Sequence, residues 1–484
     1  MGIVVNQSIK NTITTYIGFG IGAVNVLFLF TQFMSDEYFG LITYILSTAN
    51  VLMPLFAFGV HNTIVKFYSS YKTRQTQNSF LMLMLFLPLA IIIPTALILY
   101  FAFGAISQWL SGTNAIVEDY VWIIFITAIC FSYFEVFYAW SRVQLQSVFG
   151  NFMKEVFHRI CTTGLLLALY FDFLTVQQLI YGIMTVYILR TTIMKLYAFS
   201  LRFPSFKFTK INNLSAVLKY AALIIIAGSV ANIILEIDKF MLNRYIAIEN
   251  VAYYGVAIYI ASVISVPSRS MHQIVSPLTA KYLNEKNSTE LQELYKKSSL
   301  NLFIISGFIF LLIILNINEM YSLIDENYAN GLLIVFIIGF SKLLDSLLGN
   351  NNAILFNSDY YRIVLLLGVL LALLTVVLNI ICIPLYGING AAFATFIAVF
   401  LYNLAKIVFV NYKFKMLPFS VNTGKVFMLI IVSIGLFYFW DFSFHAALNI
   451  ALKTILISLF YGLIVYRFNF SEDINSIINK ILNH

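Results

Sequence analysis

Seven ionisable side chains stand out within the apolar runs of this 484-residue sequence: Glu135, Arg190, Glu236, Arg269, Lys342, Asp345 and Lys453. A charge at the centre of a bilayer costs about 2.5–3.5 kcal/mol on insertion scales, so such residues are functional candidates by default. Four bases stand against three acids, a balance that suits an anionic partner. Arg269 leads the set. It sits two residues after Pro267 and one turn before His272, where a bent helix can face a cavity, and a guanidinium holds phosphate oxygens bidentately. Its alternative fate is an ion pair with Glu135 or Glu236. Lys342 and Asp345, three apart on one helix face, can neutralise each other. Arg190 is close enough to the end of its run to snorkel, and Lys453 is read as paired or snorkelling. His61 and His272 could take protons, although histidines packed between helices are commoner. No Walker A sequence, acidic metal motif or nucleotide-sugar domain accompanies these residues, so the reading is not an enzyme, with no cofactor and no metal.

The elements that hold these charges follow from composition. Hydrophobic residues make up 61% of the chain and charged ones 10%, with mean hydropathy +0.89. A soluble domain carries roughly 25% charged residues. Lipid is therefore the solvent. A span needs roughly 20 apolar residues, and the runs that qualify are 11–33, 39–65, 79–103, 119–141, 156–173, 176–195, 219–241, 251–280, 299–317, 331–356, 362–384, 388–410, 425–440 and 444–466. The weakest separation is between the fifth and sixth, where Asp172 and a few polar residues intervene. The first run follows about ten residues with no cleavage site and reads as a retained span. Cys130, Cys161 and Cys382 all lie in apolar runs and form no disulfide or metal pattern.

The net charge of +8 is distributed by topology, which excludes nucleic acid as its cause. With a cytoplasmic N-terminus, 23 Lys and Arg fall on the cytoplasmic side and only Lys239 and Arg244 on the other. That asymmetry places both termini in the cytoplasm. Thr289 followed by Gln292 predicts a capping box opening a short interfacial helix within 281–298. Ser471 is expected to cap a tail helix whose Ile474, Ile477, Ile478, Ile481 and Leu482 share one face on the membrane surface.

Sliding the chain by 215 residues aligns Tyr38, Gly40, Tyr44, Ile45, Ser47, Val51 and Lys66 with Tyr253, Gly255, Tyr259, Ile260, Ser262, Val266 and Lys281. The match places the second span on the eighth. An even interval keeps both copies in one orientation, as in transporters built from parallel repeats. The expectation is an all-α membrane protein of about 14 transmembrane helices. Residues 1–210 and 211–415 would form two parallel-oriented six-helix bundles around a central cavity. Helices 13 and 14 occupy 416–470, and 471–484 form the amphipathic tail. Pro54 and Pro267 mark the equivalent spans as bent.

Three segments carry a resemblance. Tyr38-Phe39-Gly40-Leu41-Ile42-Thr43-Tyr44, Ile237-Asp238-Lys239-Phe240-Met241-Leu242, and Asn379 to Pro384 followed by Tyr386-Gly387-Ile388-Asn389-Gly390 are similar to motifs of the polysaccharide-biosynthesis (O-antigen type) flippases. These belong to the multidrug/oligosaccharidyl-lipid/polysaccharide exporter superfamily. Gly387 and Gly390 would serve a tight turn and close helix approach. The resemblance implies a V-shaped fold with alternating access in a bacterial inner membrane. The implied cargo is an oligosaccharide on a polyprenyl diphosphate, moved to the outer leaflet. Membrane lipid, a polysaccharide polymerase and glycosyltransferases would be its partners. Arg269, Lys342, Arg190, Glu135, Asp345, Glu236 and His272 would then line the substrate cavity, and Asp238 and Lys239 would gate its outer mouth. The rival is a cation-coupled multidrug exporter of the same superfamily. It needs a carboxylate cluster, and the first run contains no acidic residue. A polymerase would need a long outer loop, and no loop here provides one.

Overall fold

The computed structural model describes residues 3–204, 209, 211 and 213–482, with side chains for all of these except 3–6, 8, 9, 226–235, 273, 361, 477, 481 and 482. Lys207 and Lys210 of the charge count, and the side chains of Ile477, Ile481 and Leu482, lie outside the described residues. Every regular element among the described residues is helical. Among the described residues, ten helices are long and apolar enough to cross a membrane.

Contacts divide the chain between Ala252 and Tyr253 into two compact units. The first opens with α1 (Ile3–Val24), which passes through a π-helical turn, Asn25–Leu29, into α2 (Phe30–Phe33). It continues with α3 (Asp36–Phe56), α4 (Val60–Phe67), α5 (Arg74–Phe86), α6 (Leu89–Phe101), α7 (Phe103–Ser111) and α8 (Val121–Arg142). A second π-turn, Met153–Phe157, joins α9 (Val148–Phe152) to α10 (His158–Tyr170); α11 (Val176–Leu201) and α12 (Leu214–Tyr245) follow. In the second unit, α13 (Glu249–Ser262) leads into α14 (Val266–Asn284), α15 (Ser288–Leu315), α16 (Ile317–Leu323) and α17 (Leu332–Ser346). Then come α18 (Asn351–Phe356), α19 (Tyr361–Phe414), α20 (Val421–Phe437), α21 (Ala446–Arg467) and α22 (Glu472–Leu482).

In the first unit α8 is the hub, packed against α3, α4 and α11 with Phe134, Val136 and Trp140 essentially inaccessible. Within this unit α12 lies along α3. A Cβ on Gly59 would come within 2.5 Å of the Ala221 carbonyl, and one on Gly112 within 2.7 Å of the Asn243 carbonyl. Asp172, in the left-handed region at φ 58°, separates α10 from α11, and Thr175 and Gln178 form a capping box. The predicted weak separation of the fifth and sixth runs is thus a real turn.

In the second unit α15 is central, against α14, α17, α20 and α21. It runs unbroken from Ser288, so the expected separate interfacial helix is absent. The cap is Asn287, whose Oδ1 accepts from the Glu290 amide at 3.2 Å, and not Thr289. Lys286 at φ 53° ends the preceding segment. α19 contains two predicted spans. Its 54 residues turn at Gly387 (φ 57°, ψ −134°), a conformation essentially confined to glycine. A Cβ on Gly390 would sit 2.0 Å from the Cys382 carbonyl oxygen, which explains why glycine closes this turn. α22 is tied to α15: Ser471 donates to Asn301 at 2.5 Å, and Asn301 donates to Asp473 at 2.8 Å.

Candidate functional site

Two π-turns build the polar heart of the first unit. A π-turn adds one residue to a helix and turns side chains out of register, a feature enriched at functional sites. Here the Met153–Phe157 turn swings Lys154 and Glu155 towards α8 and α1. The Lys154 ammonium donates to Glu135 Oε1 at 2.7 Å. Gly18 on α1 allows the close fit, because a Cβ there would lie 2.4 Å from the Glu155 carbonyl oxygen. The α1 π-turn presents Asn25, whose amide donates to the Arg159 carbonyl at 2.9 Å and whose carbonyl accepts from Thr163 at 2.7 Å. Arg159 itself pairs with Glu155 at 3.5 Å.

Together these groups surround a cavity of about 270 Å³. Asn50 and Met53 line it from α3, Phe131 and Glu135 from α8, and Tyr187 and Arg190 from α11. Lys154, Glu155, His158 and Arg159 complete the wall. Arg190 does not snorkel. It is 7% exposed, with its guanidinium 4.2 Å from the Phe134 ring centroid, 4.9 Å from Tyr187 and 5.3 Å from Phe131. No hydrogen bond or ion pair reaches it among the described residues, and its Nε is buried without a partner. Three cations therefore face two carboxylates, and the excess charge belongs to Arg190.

The other predicted site residues are distributed as follows. Glu236 is held by Lys239 at 2.6 Å within α12, so Lys239 pairs along its own helix, and Asp238 beside it is buried. With Glu135 and Glu236 both occupied, neither supplies the ion pair considered for Arg269. Arg269 is exposed on α14, without a hydrogen bond or ion pair among the described residues, and His272 is half-buried one turn on. Pro54 ends α3 just before a break at Phe58 and Gly59, both left-handed, and Pro267 opens α14 after a one-turn 3-10 segment. Lys342 and Asp345 do not pair with each other: Asp345 accepts from the Asn403 amide at 3.1 Å. Lys453 is buried and bonded to Asp441 at 2.8 Å. Two further cations stand where the sequence reading did not place a candidate. Lys154 lies just before the run that begins at 156, and Lys406, counted as cytoplasmic, is 1% exposed inside α19.

This helical membrane architecture has the fold of the multidrug/oligosaccharidyl-lipid/polysaccharide exporter superfamily. It is similar to the lipid II flippase MurJ in an inward closed conformation, with TM-score 0.74 and 16% identity over 96% of this chain and 100% of that one. It also resembles an inward-facing multidrug resistance MATE transporter of the MOP superfamily, with TM-score 0.61 and 12% identity over 84% and 94%. The MATE multidrug transporter DinF-BH aligns with TM-score 0.57 and 15% identity over 85% and 95%. No curated protein sequence matches the chain. The family model described as polysaccharide biosynthesis protein matches residues 4–282, more than half the chain, and the protein belongs to that family.

Proposed function

We propose that the protein flips an oligosaccharide carried on a polyprenyl diphosphate from the cytoplasmic to the outer leaflet of a bacterial inner membrane. The observation that carries this reading is the unpaired, buried Arg190 over a polar cavity, in a chain of the polysaccharide biosynthesis family. A diphosphate supplies the charge that Arg190 lacks. Lys154 joins it by exchanging Glu135 for phosphate oxygen. The Lys154 side chain is 43% exposed, which leaves its ammonium open to a phosphate oxygen.

In this reading the chain has fourteen spans, arranged as two like-oriented six-helix bundles of 1–210 and 211–415 that work by alternating access. Helices 13 and 14 are appended, both termini are cytoplasmic, and a polymerase and glycosyltransferases act beside it. Arg269 and Lys342 serve the anionic cargo in the second half, and Asp238 and Lys239 act at the outer mouth. The test is mass spectrometry of lipid extracts from a deletion strain. The undecaprenyl-linked oligosaccharide should accumulate and fall again on complementation. Unchanged lipid-linked glycan together with new drug sensitivity would overturn the proposal in favour of a multidrug exporter.

A further inference from the structure

The second unit contains a buried cation of a different kind. The tenth predicted span is discontinuous: α17 ends at Ser346, α18 begins at Asn351, and Gly349 between them is left-handed at φ 50°. Only glycine fits there, because a Cβ would meet the Ser299 amide nitrogen at 2.6 Å. Two asparagines pin the break. Asn350 donates to Thr279 at 2.8 Å, and Asn351 donates to the Tyr295 hydroxyl at 2.6 Å. Against the third, Asn352, lies Lys406. Its ammonium donates to Asn352 Oδ1 at 3.1 Å and sits 4.1 Å from the Tyr402 ring centroid. Among the described residues no carboxylate lies within ion-pair distance of it.

An ammonium has three donors, and one oxygen meets them here. The titratable groups whose fields reach this locus are Asp345 on α17, His272 on α14 and Tyr402 on α19 itself. Asp345 is exposed and bonded to Asn403, one turn before Lys406. Interrupted helices in secondary transporters are where coupling ions bind. Here the position is filled by a tethered cation. Arginine keeps its charge under all conditions, whereas a lysine can give its proton up. Arg190 lines a cavity with room for a ligand, and Lys406 has no such room at 1% exposure.

We propose that Lys406 carries the coupling proton of the transport cycle. Protonated, it ties α19 to the α17–α18 break through Asn352. The step moves one proton from Nζ to bulk water, and the exposed Asp345 carboxylate is the anion whose field favours its return. It leaves a neutral amine, and no other covalent bond changes. Loss of the charge weakens the tie and frees the broken span to shift; reprotonation restores it.

The coupling to cargo rests on the flippase reading, so two measurements separate the claims. The first needs no cargo. Thermal unfolding of the purified full-length protein between about pH 6 and 10 should show a titration step in the wild type that is absent from Lys406→Met and Lys406→Arg. The second uses proteoliposomes loaded with lipid-linked oligosaccharide extracted from the producing cells. One proton per cargo across a one-unit pH gradient sustains about a tenfold leaflet ratio. That ratio should fall to about one in both variants. A wild-type titration step or a tenfold ratio in Lys406→Arg overturns the proposal even where Lys406→Met fails to fold. So does a wild-type ratio driven equally well by a sodium gradient at constant pH. A Lys406-dependent titration step in a protein that moves none of this cargo upholds the proton site and removes the flippase reading instead.

Discussion

Replacing Arg190 by Met tests the cavity most directly, because the structure predicts a small effect on stability and a large one on transport. The substitution keeps a long side chain among Phe131, Phe134 and Tyr187. It removes three cation–ring contacts at 4.2–5.3 Å, worth about 0.5–1 kcal/mol each, or up to about 2 where desolvated. It breaks no hydrogen bond, since Arg190 has none among the described residues. Against the lost contacts stands the removal of a buried charge with no counter-ion, a gain of several kcal/mol by itself. The two nearly cancel, so the melting temperature of purified protein should move by only about 2–4 °C in either direction. Transport loses a charge-assisted contact to phosphate worth about 1.5–3 kcal/mol, or roughly a 10- to 150-fold fall in glycan export per folded molecule. Arg190→Lys keeps the charge without the bidentate fork and should lie between. Fluorescence-detected unfolding and export of newly made surface glycan measure the two sides. A fall of more than about 10 °C with export per folded molecule at the wild-type rate would show that the guanidinium is a structural member of its aromatic cage.

Three further substitutions address other parts of the molecule. Arg269→Ala removes an exposed, unpaired guanidinium, so membrane level should be unchanged while export falls at least tenfold, with partial activity in Arg269→Lys; export at the wild-type rate takes Arg269 out of the mechanism. Glu319 accepts from Asn449 at 2.8 Å, and burial raises its pKa above the ordinary carboxylate range, whereas the Lys453 bond lowers that of Asp441. A raised carboxyl favours the fold below its unfolded value of about 4.3 and weakens it as pH rises through the folded value. Glu319→Gln should therefore raise the melting temperature at pH 7 and leave it unchanged at pH 4, and a loss confined to pH 7 would contradict this. The depressed Asp441 acts with opposite sign, its contribution fading as pH falls below about 3.9. Gly390→Ala places a Cβ 2.0 Å from the Cys382 carbonyl oxygen and must spread the halves of α19, so membrane abundance should fall severalfold, as read by in-gel fluorescence of a tagged protein. Normal abundance and thermal stability would show that the turn relaxes freely.

What the sequence made legible depended on how specific each residue's chemistry is. Gly387 and Gly390 announced a turn because few other residues fit a left-handed or closely packed backbone. Asp172 separated two spans because a short polar side chain tolerates φ 58°. Charge partners were harder to read, because periodicity gives a helix face and not the neighbour across it. Lys342 and Asp345 share a face yet do not pair, and Asp345 is instead claimed by Asn403, distant in sequence. The π-turns left no trace at all: one inserted residue alters register without altering the hydrophobic pattern, so Lys154 was left outside a run whose helix in fact continues through it. Ten described helices meet the length and hydropathy of a span where the sequence offers fourteen runs, because α20 has only 17 residues and α19 stays helical through its turn over 54.

Lys406 shows the most instructive failure. A topology count assigns every lysine near the end of a run to the nearer loop, and that assignment removed from view a cation inside the predicted span 388–410. Its location is better read from the repeat. The offset of 215 that aligns the second and eighth spans carries Arg190 to within one residue of Lys406. Both are buried, and neither has an ion-pair partner among the described residues. A transporter with a permanently charged cargo needs one cation that never changes and, if protons drive it, one group that does. An arginine over a cavity and a lysine sealed against a broken helix divide those tasks as their chemistry dictates. Exchanging them, Arg190→Lys with Lys406→Arg, should therefore impair the protein more than the cavity change alone, because it makes the coupling site permanently charged as well as removing the bidentate fork. If the exchange cost no more than Arg190→Lys by itself in glycan export, the two cations would be interchangeable and the division of labour would be wrong.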